Sequence, residues 1–298
     1  MSARGSAHDA LVYTDPADLI TRSADFLRAG LDDGARAVVF APPATAEPLR
    51  SAVGADLRVL DMATAGANPA RIIPALRELT SSGEPVVAIC QAWWPGRSAA
   101  ESAEVALHEA LVDIAFADGP DLRVRCPYPT RKPEWVRSCH REVVADGVAG
   151  GSGGYDPDLA AATFSAVLED TTAEVTDVTH FSLDDLPELR DLVTIRASAA
   201  GLDRDKALDL TLAANEIVTN SICHGGERGT LRVWGEDGAI VCEVSDSGHL
   251  DSAMTGRVAP LPSVRGGRGI WLANQLCDLV QIRSCPKRGT VVRLWMHG

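Results

Sequence analysis

Segments with the pattern of buried strands alternate with amphipathic helical segments across residues 11–126. Ala35–Phe40 and Pro85–Gln91 are short apolar runs, whereas Ala17–Leu31 and Ala99–Phe116 repeat apolar residues at helical spacing. The remaining predicted strands and helix of this region are Leu11–Tyr13, Leu57–Met62, Leu122–Cys126 and Ala70–Leu79. Strands joined by helices of this length run parallel in one sheet. The pattern therefore predicts an α/β domain with a mainly parallel sheet, which binds ligands beyond the carboxyl ends of its strands.

The pattern changes after Gly147–Gly154, a segment of low complexity. Because Gly and Ser bury little surface, we expect a domain linker or a mobile loop there. Beyond it, Val175–Phe181 alternates like an antiparallel strand, and Asp184 and Asp203 are placed to cap two successive helices. Grouped helices and antiparallel strands predict an α+β sandwich. The expected domains are residues 1–172, which include the Gly-rich loop 147–154, and residues 175–298.

The formal charge of −13 makes direct nucleic-acid binding unexpected, because an acidic surface repels phosphate backbones. Residues 1–174 have a net charge of −10 and residues 175–298 a net charge of −3, so the acidity lies chiefly in the first half. No apolar stretch is long enough for a transmembrane helix, and the first ten residues lack the apolar core of a signal peptide. We therefore expect a cytoplasmic protein without a membrane partner.

The seven cysteines are scattered and never form a CxxC motif. This spacing indicates neither a disulfide framework nor a thiol metal cluster. We expect reduced cysteines in the core or on the surface.

Three spaced motifs in the second half carry the chemistry. Glu216, Asn220 and His224 lie four residues apart and project from one helical face, where a carboxylate can act as general base and an amide oxygen can bind Mg²⁺. The alternative is a polar stripe at a helix end. Asp246-Ser-Gly248 follows a predicted strand and can accept a hydrogen bond from an exocyclic amine, although alone it is only a turn. Residues 266–270, GGRGI, open a helix whose free N–H groups suit phosphate oxygens.

In this order and spacing, followed by the terminal strand GTVVRLWM, the motifs resemble the Bergerat (GHKL) ATP-binding fold of gyrase, histidine kinases and anti-sigma serine kinases. The resemblance spans roughly Val175–His297. The segment DLPELRDLVTIRASAAGLDRDKALDLTLAANEIVTNSICHGG is most similar to actinobacterial anti-sigma regulatory factors. ATP and Mg²⁺ are the cofactors that this resemblance implies.

The resemblance also implies residue roles. Glu216 would be the catalytic base that deprotonates the acceptor serine, Asn220 would hold Mg²⁺, and Asp246 would bind the adenine amine. The other residues expected around the nucleotide are Gly248, Gly267, Gly269, Arg268, His224 and Thr290. Arg257 and Arg265 lie in or beside the same presumed lid, and Arg268 is the preferred phosphate ligand.

One position departs from the fullest family pattern, DxGxG. After Asp246-Ser-Gly248 comes His249, and no second Gly completes the pattern. Asp246 and Gly248 remain, so adenine recognition is expected to survive. The missing glycine affects the hinge of the lid, and with it kinase activity, more than it affects nucleotide binding.

The first half carries its own string, CQAWWPGRS at residues 90–98, with His8, His108-Glu109 and the CPY of residues 126–128. It resembles the methanogen/methylotroph sensory (MEDS) domain over about Ala7–Val148, which implies a sensor of an unknown small molecule. Trp93 and Trp94 follow a predicted strand and could line an apolar pocket or fill an interface. With them, the expected sensory pocket comprises Arg97, Glu101 and His108. Glu101, Glu104 and His108 form a helical stripe for which a solvated face is the expectation and a ligand or metal site the alternative.

Together the resemblances imply a sensory anti-sigma regulatory factor. Its serine-kinase module would sequester a sigma factor and phosphorylate a STAS-type anti-anti-sigma protein, and a homodimer is compatible with the family. Two alternatives remain open: a nucleotide-binding interaction module without kinase activity, and an ATP-hydrolysing protein in which Glu216 activates water.

Overall fold

The computed structural model describes residues 6–54, 56–260 and 267–298, and the chain divides into two units, Met1–Ala160 and Ala161–Gly298. Each unit has its own sheet. None of the described helices is long and apolar enough to cross a membrane.

The first unit is built on a seven-stranded sheet with the strand order β3-β2-β4-β5-β1-β6-β7. All neighbouring strands run parallel except β6 and β7, which are antiparallel. The strands are β1 (Ala7–Tyr13), β2 (Arg36–Ala41), β3 (Arg58–Asp61), β4 (Val86–Cys90), β5 (Leu122–Pro129), β6 (Glu142–Ala145) and β7 (Val148–Gly151). The helices are α1 (Pro16–Asp32), α2 (Pro43–Val53), α3 (Met62–Ala65), α4 (Ile72–Thr80), α5 (Ala99–Ala115) and α6 (Val136–Cys139), and the unit boundary falls within α7 (Leu159–Ser165).

Helix α1 begins after the N-cap Asp15, whose side chain accepts a hydrogen bond from the Asp18 amide. Its buried stripe packs with α2 against alternate residues of the sheet, including Val39 and Ile89. Residues 38 and 40 point to the opposite face and are also fully buried. The sheet is thus covered on both faces, and the predicted α/β architecture with a mainly parallel sheet is confirmed.

The Gly-rich segment is not a flexible loop. Val148–Gly151 pairs with Glu142–Ala145 as an antiparallel edge hairpin, so the expectation of a linker or mobile loop at residues 147–154 is wrong. Asp146 and Gly147 have φ angles of +49° and +77°, which is the conformation that a two-residue hairpin turn requires. Glycine serves here to close a tight turn.

The second unit contains a five-stranded antiparallel sheet with the order β11-β12-β10-β9-β8. Its strands are β8 (Val175–Phe181), β9 (Gly229–Glu236), β10 (Ala239–Asp246), β11 (Leu279–Cys285) and β12 (Gly289–His297), and its helices are α8 (Leu186–Ala199), α9 (Arg204–His224) and α10 (Gly269–Leu276). The three helices bury one face of the sheet in a single apolar core. This arrangement confirms the predicted α+β Bergerat sandwich.

The two long helices begin differently. Asp203 caps α9 as predicted, since its side chain accepts from the Lys206 amide at 2.9 Å. Asp184 does not cap α8. Asp185 instead accepts from the backbone and hydroxyl of Ser182, and a short 3₁₀ turn leads into the helix.

The face of this sheet opposite the helices carries a charged row. Arg232, Glu243 and Arg293 are neighbours across β9, β10 and β12, and both arginines pair with Glu243. Arg293 also donates to the carbonyl of Glu169, and Arg232 to the carboxylate of Asp170. Residues 169 and 170 therefore lie on the second unit, in the segment that leads into β8.

Candidate functional site

A cavity of about 330 Å³ opens between α9, α10 and the ends of β10 and β12. This volume lies within the range of small-molecule sites. Six of the predicted nucleotide-site residues line it: Asn220, His224, Asp246, Gly248, Gly267 and Thr290. Residues separated by up to 70 positions in the sequence thus meet at one cavity.

Of the predicted polar face of α9, Asn220 and His224 line this cavity, whereas Glu216 lies one helical turn before Asn220 and is not among the described lining residues. Glu216 and Asn220 are half-buried, while His224 is exposed in the last helical turn. A Cβ placed on Gly269 would lie 3.0 Å from Glu216 Oε2 and 2.8 Å from Asn220 Nδ2. The beginning of α10 therefore packs directly on these two side chains, and only glycine leaves them room.

Asp246, the last residue of β10, is held through both carboxylate oxygens. The Ser221 hydroxyl donates to Oδ2 at 2.6 Å, and the Gly248 amide donates to Oδ1 at 2.7 Å. Backbone packs tightly beside it, since a Cβ on Gly225 would lie 2.4 Å from Asp246 Cγ. The carboxylate has a fixed orientation at the cavity wall, and each oxygen keeps a further lone pair for a ligand donor.

A chain of hydroxyl groups fixes the segment after Asp246. Thr290 donates to the Gly248 carbonyl at 2.9 Å and contacts the Ser284 hydroxyl at 2.9 Å. Ser284 in turn accepts from the Leu250 amide at 2.8 Å and lies 3.2 Å from Nδ1 of His249. His249 and Leu250, which follow Gly248 where the family pattern ends in a second glycine, are thereby tied to β11.

The glycine-rich motif lies where the sequence places it, at the start of α10. Gly267 has a φ of +72°, a conformation that favours glycine, and the exposed Arg268 is the N-cap residue of the helix. Arg257 is buried, with 5% of its surface exposed. Arg265 and Gly266 lie outside the described residues.

Sequence reasoning missed Ser221, although it lies within the first motif. The prediction named only the carboxylate, amide and imidazole side chains of this motif, whereas the Ser221 hydroxyl donates to Asp246. A polar residue on the buried side of α9, directly after Asn220, was the available signal, because a buried hydroxyl needs a partner.

In the first unit, four of the five predicted pocket residues gather at the start of α5. The Arg97 guanidinium lies 3.9 Å from the centre of the Trp94 ring, pairs with Glu101 at 3.2 Å and donates to the backbone carbonyls of residues 66 and 67. Trp93 Nε1 donates to the Ser102 hydroxyl at 3.1 Å. Their polar groups are thus used in holding the loop after β4 to α5.

His108 lies apart from this group, two helical turns further along α5. It is fully buried, and Glu104 has only 1% of its surface exposed. The expectation of a solvated stripe at Glu101, Glu104 and His108 is therefore wrong. The reason is that α5 contacts β1, α4 and α6 and buries nearly all of its middle section.

Comparison with known proteins assigns both units. The family model of the histidine kinase-like ATPase domain matches residues 180–296, and that of the methanogen/methylotroph DcmR sensory domain (MEDS) matches residues 7–149. The anti-sigma F factor of Bacillus subtilis (strain 168) is 30% identical over 117 residues, which are 35% of this chain and 80% of that protein. The anti-sigma F factor of Caldanaerobacter subterraneus is 31% identical over 111 residues, 34% of this chain and 78% of that protein.

Among solved structures, the RsbU and RsbW domains of Rv1364c from Mycobacterium tuberculosis align with 41% of this chain and 32% of their own, at 19% identity and a TM-score of 0.30. At 30% identity or more, the alignments cover more than two thirds of each of the two anti-sigma F factors. The chain therefore belongs to the family of the anti-sigma F factors, through a histidine kinase-like ATPase domain that follows a MEDS sensory domain.

Proposed function

We propose that the second unit binds ATP·Mg²⁺, sequesters a sigma factor and phosphorylates a serine of a STAS-type anti-anti-sigma partner, under control of a small molecule bound by the sensory domain. The observation that carries the proposal is the doubly held carboxylate of Asp246 in the wall of the cavity. The two domains of this scheme are the expected residues 1–172 and 175–298, except that residues 161–172 go with the second unit. Phosphorylation would place charge on the antagonist's surface and so decide which partner is held.

The residues around the cavity suit a nucleotide. Asp246 can accept from an exocyclic amine, and the glycines beside it, Gly225 and Gly248, let the backbone pack closely enough to fix its carboxylate at the cavity wall. Asn220 offers an amide oxygen to Mg²⁺, and Gly267, Arg268 and the start of α10 offer N–H groups and a guanidinium to phosphate oxygens. Bound ATP supplies the phosphoryl group.

We assign the proton transfer to Glu216. Its carboxylate lies beside the start of α10, since a Cβ on Gly269 would be 3.0 Å from Glu216 Oε2. Asn220 and the predicted phosphate-binding turn are next to it. From there it would accept the proton of the partner's serine hydroxyl. His224, one helical turn beyond Asn220, lines the cavity and would orient the bound nucleotide.

The test measures transfer of labelled phosphate from ATP to the cognate anti-anti-sigma protein. Glu216→Gln should abolish transfer while ATP and sigma-factor binding persist, and Glu188→Gln, on the exposed first turn of α8, should behave as wild type. Absence of transfer by wild type to any cognate antagonist contradicts kinase activity.

A second function, nucleotide-dependent binding of partners without phosphate transfer, is favoured by one feature. His249 and the Leu250 amide are tied to Ser284, so the loop after Gly248 is anchored where the family pattern has a second glycine. Wild type that binds ATP and sigma factor but transfers nothing would support it. Steady phosphate release without a protein acceptor would instead indicate an ATPase.

A further inference from the structure

Four metal-ligating side chains meet in the interior of the first unit, away from the nucleotide cavity. They are His8, Glu109, Cys126 and His140, and one ligand atom from each lies within 4.8 Å of the others. His8 Nε2 is 2.9 Å from Glu109 Oε2 and 3.4 Å from Cys126 Sγ, and His140 Nε2 is 3.3 Å from the same Glu109 oxygen. We propose that these four residues bind one zinc ion.

The fold directs all four side chains to one point. In the register of β1 and β5, His8 lies opposite Val124 and the neighbouring Ala10 opposite Cys126, so His8 and Cys126 project from the same face of the sheet. Helix α5 covers that face and supplies Glu109, while His140 follows directly after α6. The site thus ties four separate parts of the unit together.

Ligand type and spacing both suit zinc. Two imidazole nitrogens, a thiolate and a carboxylate are ligands that Zn²⁺ takes in four-coordinate sites, with bonds of about 2.0–2.3 Å. In a tetrahedron with such bonds the ligand atoms are about 3.3–3.7 Å apart. Two of the three distances, 3.3 and 3.4 Å, fall in this range, and the third, 2.9 Å, needs a small expansion.

Burial makes an unfilled cluster costly. His8 and Cys126 are almost completely inaccessible, and Glu109 and His140 are fully so. Glu109 Oε1 and His140 Nε2 are buried without a hydrogen-bond partner among the described residues. Native proteins seldom leave buried polar atoms in this state, and a cation between them satisfies both.

The second ring nitrogen of each histidine faces an oxygen atom. His140 Nδ1 is 2.8 Å from the Val136 carbonyl, which fixes the tautomer that leaves Nε2 free to bind a metal. His8 Nδ1 lies 3.4 Å from Asp113 Oδ1, within ion-pair distance but without hydrogen-bond geometry among the described residues. A carbonyl or carboxylate behind each ligating imidazole is the usual outer shell of a zinc site.

A cavity lies on one side of the cluster. His8 and Asp113 border this cavity of about 430 Å³, which also reaches Arg141 and Glu142. The side of His8 that faces Asp113 is therefore where the cluster comes nearest to this cavity. The alternative to a bound zinc ion is a cluster without metal, in which a protonated His8 pairs with Glu109.

The experiment titrates the full chain, stripped of metal with a chelator, with Zn²⁺ and with Co²⁺ as a spectroscopic substitute. We expect one ion per chain and a thiolate-to-cobalt charge-transfer band. Cys126→Ser should lose the band and bind at least 100-fold more weakly. Asp113→Asn should keep the band and bind about 10- to 100-fold more weakly, because it removes only an orienting group.

Cys139→Ser is the matched control, since this buried thiol of the same unit donates to the Ala106 carbonyl and is outside the four ligands. It should bind as wild type. Three results would overturn the proposal. Wild type binds neither Zn²⁺ nor Co²⁺, its cobalt spectrum lacks the thiolate band, or the band is lost in Cys139→Ser and kept in Cys126→Ser. The wild-type spectrum decides the matter even where a variant fails to fold. None of these readouts depends on ATP or a partner protein.

Discussion

The Ser221 hydroxyl on α9 donates to Asp246 Oδ2 at the end of β10, with 2.6 Å between the two oxygens. This bond links the helix that carries Glu216 and Asn220 to the strand that carries the proposed adenine ligand. It orients the carboxylate before any nucleotide arrives, and such preorganisation lowers the entropic cost of binding.

Asp246→Asn should weaken ATP·Mg²⁺ binding about 10- to 100-fold, because a charged acceptor contributes about 1.5–3 kcal/mol to a hydrogen bond. The amide also places an NH₂ group against the Ser221 hydroxyl or the Gly248 amide. Calorimetric titration measures the affinity. Asp251→Asn, fully exposed in the following loop, is the control and should bind as wild type. Equal affinities for wild type and Asp246→Asn would exclude the proposed adenine contact.

Ser221→Ala should weaken nucleotide binding about 3- to 10-fold, since it frees one carboxylate oxygen while Gly248 still holds the other. The same titration measures this. Ser51→Ala is a suitable comparison: Ser51 is a helical serine of the other unit, and its hydroxyl donates to the Glu47 carbonyl four residues earlier. An unchanged affinity in Ser221→Ala would show that Asp246 does not depend on this bond.

Arg97→Met should destabilise the start of α5 by about 2–4 kcal/mol. The Arg97 side chain is only 1% exposed, and its replacement removes the ion pair with Glu101 and the hydrogen bonds to two backbone carbonyls. Hydrogen exchange of the α5 amides, followed by mass spectrometry, reports this local loss. Arg28→Met, whose side chain is 49% exposed, should leave exchange within error of wild type. Similar exchange in both variants would contradict a structural function of Arg97.

The architecture could be predicted because hydrophobic periodicity repeats in each strand and helix. Six of the residues expected around a nucleotide meet at one cavity because they lie on one helix face, at strand ends or at the start of a helix. Glycine content failed as a guide at residues 147–154, since the same residue permits both a flexible loop and a tight hairpin turn. Periodicity also failed for α5, where neighbours on several sides bury Glu104, His108 and Glu109 together. The Cys126 cluster escaped prediction for a related reason: its members are far apart in the sequence and meet only through the register of β1 and β5.

Gly269→Ala tests whether Glu216 and Asn220 act from their observed positions. The added methyl would lie 2.8–3.0 Å from the ends of both side chains, which are flexible and can move aside, and 3.2 Å from Glu216 Cβ, which requires a further shift of a few tenths of an ångström. The free energy of unfolding should therefore fall by less than about 1 kcal/mol, whereas phosphate transfer to the anti-anti-sigma partner should fall about 10-fold or more. Denaturant unfolding and the transfer assay measure the two effects separately.

The control for this substitution is Gly235→Ala, in β9 of the same unit, where a new Cβ would meet only one atom, at 3.9 Å. It should leave transfer unchanged and cost little stability. Gly269→Ala with full transfer activity would show that a shift of these two side chains is tolerated, and would argue against Glu216 as the base. A large loss of stability would instead mean that the methyl displaces the backbone of α9 or α10, since moving two side-chain ends cannot account for it.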